Sequence, residues 1–225
     1  MELEPANLPT PVGVVPNHPR MQMPDAPRVL THLGPLLAKP HVLVEIGCGP
    51  VKKPDAIGID VLALPGVDVV CDVNKGLPFL PDAGVDRIEA VHVFEHLTDL
   101  ETVLREVTRV LKPAGECRIR VPYFANPHYY SDYTHKTPWG LYTLGYFCKD
   151  GWPYRRKVPN FYNDVQVRVV SQKLVFSSMF LVPKLLKKAV QAVVNLHPRT
   201  QEFYEEILCW QVPASELVLV FGRRA

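Results

Sequence analysis

Two stretches of this 225-residue chain hold residues whose types and spacing could do chemistry. The first is Val42-Leu-Val-Glu-Ile-Gly-Cys-Gly-Pro50, an apolar run that carries Glu45 and breaks at Gly47 and Gly49. A second apolar run, Ala56-Ile-Gly-Ile-Asp60, follows and ends on a carboxylate. Two glycines let a backbone turn sharply beneath a ligand, and an aspartate at the end of the neighbouring strand can accept two hydrogen bonds from a ribose diol. That is the chemistry of nucleoside-cofactor binding. The second stretch, residues 122–139, is dense in titratable and aromatic side chains: Tyr123, His128, Tyr129, Tyr130, Asp132 and His135. An imidazole oriented by a nearby carboxylate is a good general base for a hydroxyl, which singles out His135, then His128, with Asp132 as the orienting group and the tyrosines as pocket walls.

Positioning these groups takes a sheet. Strands are expected at 42–46, 56–60, 67–71, 87–93 and 116–121, with a long strand pattern at 164–176 and a final strand at 216–221. Helices are expected at 28–37, before Gly151, over the basic amphipathic stretch 181–196 and from about Thr200. The clearest helix begins at the capping-box pattern Thr98-Asp-Leu-Glu101, repeats Leu100, Val103, Leu104, Val107, Val110 and Leu111 at helical spacing, and stops at Lys112-Pro-Ala-Gly115. Strands alternating with short helices or loops imply an α/β fold with a mainly parallel sheet.

Composition narrows the classes. With 47% apolar residues the chain can bury a sizeable core, and a net charge of +2 provides no broad basic field for nucleic acid. The short basic groups Arg118/Arg120, Arg155-Arg-Lys157 and Lys184/Lys187/Lys188 read as solvated surface. Five scattered cysteines without a C-x-x-C spacing read as small core residues in a reduced, cytoplasmic protein. Residues 1–27, with Pro5, Pro9, Pro11, Pro16, Pro19, Pro24 and Pro27, form an extended arm, and residues 28–225 form one domain.

Dinucleotide enzymes and methyltransferases both use a glycine turn with a strand-end acid. Pro50-Val51-Lys52 does not extend the turn to G-x-G-x-x-G, and no Tyr-x-x-x-Lys occurs. Val44-Glu-Ile-Gly-Cys-Gly49, Ile57-Gly-Ile-Asp60, Val69-Val-Cys-Asp-Val73, Leu77-Pro-Phe79, Val85-Asp-Arg-Ile88, Val91-His-Val-Phe-Glu-His-Leu97 and Glu106 to Gly115 follow in order. Together these resemble the class I S-adenosylmethionine-dependent methyltransferases, in particular the type-11-like group, over about residues 40–125. The resemblance implies a Rossmann-like, doubly wound, seven-stranded sheet whose last strand is antiparallel, with lid elements about 122–162 and 178–210. It implies that Glu45, Gly47 and Gly49 cradle the methionine half of S-adenosylmethionine, Asp60 holds the ribose, Asp72 and Val73 read adenine, and His92 flanks the sulfonium. The span from Gly47 to Asp60 (60 − 47 = 13 positions) is too short for the helix that usually separates these motifs, so a shortened first crossover is expected.

The implied reaction is methyl transfer to a small molecule or glycan, at oxygen. A non-catalytic protein that binds the same cofactor is the rival reading. Glu95 and His96 read as structural groups at the start of the capped helix, with an acid/base role left open. His128, Asp132 and His135 have a spacing that metal ligation allows, but no Cys or Glu cluster supports them, so no metal is expected. Along 181–196, Val182, Leu185, Leu186, Ala189, Val190 and Val193 form one face, and Lys184, Lys187, Lys188, Gln191 and Asn195 the other. Such a helix packs its apolar face on the domain or on a twin subunit, or lies on an anionic membrane or a lipid-like substrate.

Overall fold

The computed structural model describes residues 23–224, so residues 1–22 of the proline-rich arm lie outside it. The strands are β1 (Arg28–Val29), β2 (Leu43–Ile46), β3 (Ile57–Asp60), β4 (Val69–Val70), β5 (Val85–Val91), β6 (Leu111–Pro122), β7 (Val167–Val175) and β8 (Glu216–Arg223). The helices are α1 (Gly34–Leu37), α2 (Leu100–Val110), α3 (Leu181–Val194) and α4 (Pro198–Phe203). All eight strands make one sheet in the order β1-β4-β3-β2-β5-β6-β8-β7. Strands β2 to β6 pair in parallel, and β8 lies antiparallel between β6 and β7. Val44, Ile46, Ile57, Ile59, Ile88 and Ala90 are buried on the central strands, as a sheet covered on both faces requires.

The chain leaves β2 toward β3 and β4, then crosses back to lay β5 on the other side of β2. That reversal opens a crevice at the carboxyl ends of the strands, which is where open α/β sheets bind ligands. No helix lies between β2 and β3; residues 47–56 form a loop in its place, the shortened crossover expected from the spacing.

Several local expectations are corrected. Seven strands become eight because Arg28–Val29 pairs with β4 instead of opening a helix. Helix α1 is a single turn, Gly34–Leu37, with Pro35 in its first turn, where the missing N–H has no helical partner to lose. The cap of α2 is Asp99, not Thr98. The amides of Thr98 and Asp99 both donate to Asn74 Oδ1 at 3.0 Å, and Asp99 is then the residue whose carboxylate accepts from Thr102 N at 2.9 Å. Asp99→Ala is expected to cost about 1 kcal/mol and to lower the thermal midpoint by roughly 2–4 °C, as read by a melt followed by circular dichroism. Before Gly151 the chain makes only a 3-10 turn, Thr143–Phe147, held where Gly145 lets Trp152 and Val158 approach.

Helix α3 is rotated from its expected setting. Its polar residues, not its leucines, meet the sheet: Asn195 Oδ1 accepts from Leu174 N (2.9 Å), Asn195 Nδ2 donates to Leu174 O (2.7 Å), and Gln191 Oε1 accepts from Phe176 N (2.8 Å). Val190 and Val194 pack inward, while Leu181, Leu185, Leu186 and Val193 stay exposed. All five cysteines are free and buried. Among the described residues no helix is long and apolar enough to cross a membrane.

Candidate functional site

Two cavities open along the carboxyl edge of the sheet. The first, about 410 Å³, lies at the ends of β2 to β5 and is walled by Gly47, Asp60, Asp72, Val73 and His92 among others. Its volume falls within the range of about 300–1,000 Å³ usual for small-molecule sites. Gly47 makes its floor possible: its φ is +70°, and a Cβ there would stand 2.2 Å from Val93 Cγ2. Asp60 closes the loop over this floor, with Oδ2 accepting from Gly49 N (2.9 Å) and Oδ1 from Leu62 N (3.0 Å). Asp72 spends Oδ1 on the amide and side chain of Asn74 (3.1 and 2.9 Å), and its Oδ2 takes no hydrogen bond among the described residues. Met23, at the end of the proline-rich arm, reaches the same wall.

The sequence reading of this half needs two corrections. Glu45 and Gly49 do not wall the cavity; they tie the loop beneath it, Glu45 Oε2 accepting from Lys53 N at 2.7 Å and Gly49 donating to Asp60. The loop is pinned further by ion pairs of Lys52 with Asp68 and Lys53 with Glu89.

The second cavity, about 780 Å³, lies at the ends of β5 and β6 and the start of β8. His128, Asp132 and His135 all line it, together with Glu95 and Glu216. His92 and His96 line both cavities, so the two spaces meet there. His92 sits at a φ of +55°, with Nε2 2.9 Å from Glu216 Oε1 and Nδ1 3.2 Å from Glu95 Oε1. Hydrogen bonds to Glu216 and then Glu95 raise its pKa to about 9, so it is an imidazolium at neutral pH. Arg120 stands 3.8 Å from Glu216, and the junction therefore holds two cations against two carboxylates. Glu216 is held in its charged form by the same His92 contact.

The Asp132–His135 arrangement also differs from expectation. His135 Nδ1 donates to the Tyr129 carbonyl (2.8 Å), while Asp132 Oδ2 lies 3.6 Å from Nε2, beyond hydrogen-bond range. Tyr129 orients the imidazole through its carbonyl and stacks on it at 4.9 Å. Asp132 binds the amide and hydroxyl of Thr134 instead (2.9 and 2.5 Å), contacts that hold its carboxyl below the usual range. Tyr123 does not reach the cavity: it is fully buried, donates to Glu205 Oε2 at 2.9 Å, and has its phenol pKa pushed up by burial. Tyr130 is exposed, packed edge-on against Tyr129.

Glu216 and Met23 were missed as site residues, and Glu95 and His96, read as helix-start groups with an acid/base role open, line the second cavity. A signal existed for Glu216, since an antiparallel last strand must begin at the edge where the parallel strands end.

The geometry can now be compared with known proteins. Residues 53–119 match the family model described as a methyltransferase domain, a segment that starts just past the glycine turn. No curated protein sequence matches the chain. Among solved structures, the complex that the Trm112 methyltransferase activator of Haloferax volcanii forms with a protein described as a methyltransferase contains a chain similar at 16% identity and a TM-score of 0.51. That alignment covers 84% of this chain and 86% of the other. A SAM-dependent methyltransferase from Archaeoglobus fulgidus is similar at 17% identity over 84% of this chain and 89% of its own, with a TM-score of 0.47. The phosphoethanolamine N-methyltransferase 2 of Haemonchus contortus is 10% identical over 82% and 49%, with a TM-score of 0.49. Residues 53–119 thus carry a segment similar to the methyltransferase domain family, within a sheet whose fold is that of the methyltransferase chain of the Haloferax volcanii complex.

Proposed function

We propose that the first cavity holds S-adenosylmethionine and the second an acceptor hydroxyl of a small molecule or glycan. The observation that carries this reading is the shared wall, His92 and His96, through which the two spaces meet. Three features of the first cavity fit a sulfonium nucleoside: a floor open only because Gly47 lacks a Cβ, a strand-end carboxylate at Asp60, and an uncommitted oxygen on Asp72. Asp60 would accept from the ribose hydroxyls, and Asp72 Oδ2 with the Val73 amide would meet adenine. His92, its charge balanced by Glu95 and Glu216, leaves the junction without a net positive field to oppose a sulfonium.

The cofactor supplies a methyl group whose S–C bond breaks as the acceptor O–C bond forms, leaving a neutral thioether. The chain's part is to align the acceptor, exclude water and take the hydroxyl proton. His135 suits the last task. Its Nδ1–H is committed to Tyr129, so the lone pair is on Nε2, and its side chain is only 9% exposed. His128, exposed at the same cavity, is the next proton acceptor outward. Segments 122–162 and 178–210 act as the lid, since Asn126, His128 and His135 from one and Ser178, Met179 and Lys187 from the other share the cavity wall. The exposed leucines of α3 beside it suit a lipid-like acceptor or a twin subunit.

His135→Ala is expected to lower acceptor-dependent formation of S-adenosylhomocysteine by about 10²–10⁴-fold, with cofactor affinity unchanged because His135 does not wall the first cavity. Turnover within a few fold of the parent would remove His135 from the mechanism. Cofactor binding with no turnover on any hydroxyl acceptor would favour the non-catalytic reading.

A further inference from the structure

Glu95 is the anomaly of the second cavity. It is 0% exposed, its Oε1 faces His92, and its Oε2 has no hydrogen-bond partner. A buried carboxylate oxygen left unpaired is costly, and such an atom calls for an explanation such as an ion. Two imidazoles converge on the same place. One ligand atom each from Glu95, His96 and His135 lies within 4.8 Å of the others, and the two rings stand 4.9 Å apart. We infer that Glu95, His96 and His135 bind a divalent first-row transition-metal ion on the wall of the acceptor cavity.

The hydrogen bonds around the trio leave one ring nitrogen of each imidazole and one carboxylate oxygen free. The Tyr129 carbonyl can only accept, so His135 carries its proton on Nδ1 and a lone pair on Nε2. Thr134 Oγ1 donates to Asp132 Oδ1 (2.5 Å), so it accepts from His96 Nδ1 (3.0 Å), which leaves a lone pair on His96 Nε2 as well. A carbonyl behind one imidazole and a hydroxyl-carboxylate relay behind the other are the partners that orient metal-binding histidines. The backbone fixes the spacing: the amides of Lys136 and Thr137 donate to the Glu95 carbonyl (2.7 and 3.0 Å), and Thr137 Oγ1 donates to the Leu97 carbonyl (3.1 Å). Two imidazole nitrogens and a carboxylate oxygen suit a borderline cation and leave coordination positions open.

The inference deepens the proposed function. An acceptor hydroxyl bound at an open position would lose its proton more readily, passing it to His128 or to water, and His135 would then serve as a ligand and not as the base. The ion undergoes no change of oxidation state.

The test uses the full chain, stripped with chelator and titrated with Co²⁺ by calorimetry and visible absorption. One ion per chain is expected, with absorption intensity typical of imidazole coordination, and binding falls below detection in His135→Ala and in Glu95→Gln. Thr134→Val keeps every ligand but removes the relay behind His96, and should weaken binding about 10–100-fold. Circular dichroism and a thermal melt confirm that each variant is folded. Absence of Co²⁺ binding, or binding that survives the Glu95→Gln/His135→Ala double variant, overturns the site. No cofactor or acceptor enters this measurement, so its failure leaves the methyl-transfer reading standing, and the loss of that reading leaves the metal site standing.

Discussion

Asp60→Ala should weaken S-adenosylhomocysteine binding by about 10²–10⁴-fold, since hydrogen bonds to a charged group are worth roughly 1.5–3 kcal/mol each and a ribose diol would make two. The substitution also frees the amides of Gly49 and Leu62, both held by this carboxylate, so the loop over the cavity floor loses its tie. Asp60→Asn separates the two contributions. It keeps the volume and one acceptor but presents an amide NH₂ to either a backbone N–H or the ribose, and its affinity should fall between those of alanine and the parent. Calorimetry on the three proteins measures this, with a melt to confirm that each is folded. An alanine variant that binds within threefold of the parent would remove Asp60 from the cofactor site.

The second large effect is steric. At Gly47 a methyl group meets Val93 Cγ2 at 2.2 Å on a backbone with φ +70°, whereas Gly49, at φ +59°, has nothing within 4 Å of the added atom. Gly49→Ala therefore carries only left-handed strain, about 1–2 kcal/mol. Gly47→Ala adds overpacking of roughly 1–3 kcal/mol to a similar strain and displaces Val93, which lines the first cavity. The expected order of thermal midpoints is parent, then Gly49→Ala, then Gly47→Ala, with cofactor affinity most reduced in the last. Val93→Ala combined with Gly47→Ala should recover the steric part alone. Equal loss in the two alanine variants would show that backbone strain, not the Val93 contact, makes Gly47 a glycine.

How much of this was legible in the sequence divides along physical lines. The parallel strands announced themselves through near-continuous apolar runs, and the acid at each run's end, Asp60 and Asp72, marked the edge where the first cavity opens. Alternation and helical spacing could not say which polar side chain would pair with which. Asp132 was matched to His135 by proximity in sequence, but Thr134 lies closer and captures its carboxylate. Glu95 and His96 looked like helix-start residues because the loop that brings His135 to them arrives from the far side of β6, a contact some forty positions away in the chain. The hydrophobic pattern of 181–196 misled for a different reason: it counts apolar residues, whereas the end of the edge strand β7 needed hydrogen-bond partners and drew the amide side chains inward.

Both borders of the sheet are thereby blunted among the described residues. On one side the outermost strand is only two residues long, Arg28–Val29, too short to template an incoming chain. On the other, Gln191 and Asn195 imitate a ninth strand, occupying the main-chain groups at Leu174 and Phe176 that a neighbour would seek. Strand pairing is thus blocked at the Leu174–Phe176 end of β7, while Leu181, Leu185 and Leu186 of α3 stay exposed on that flank.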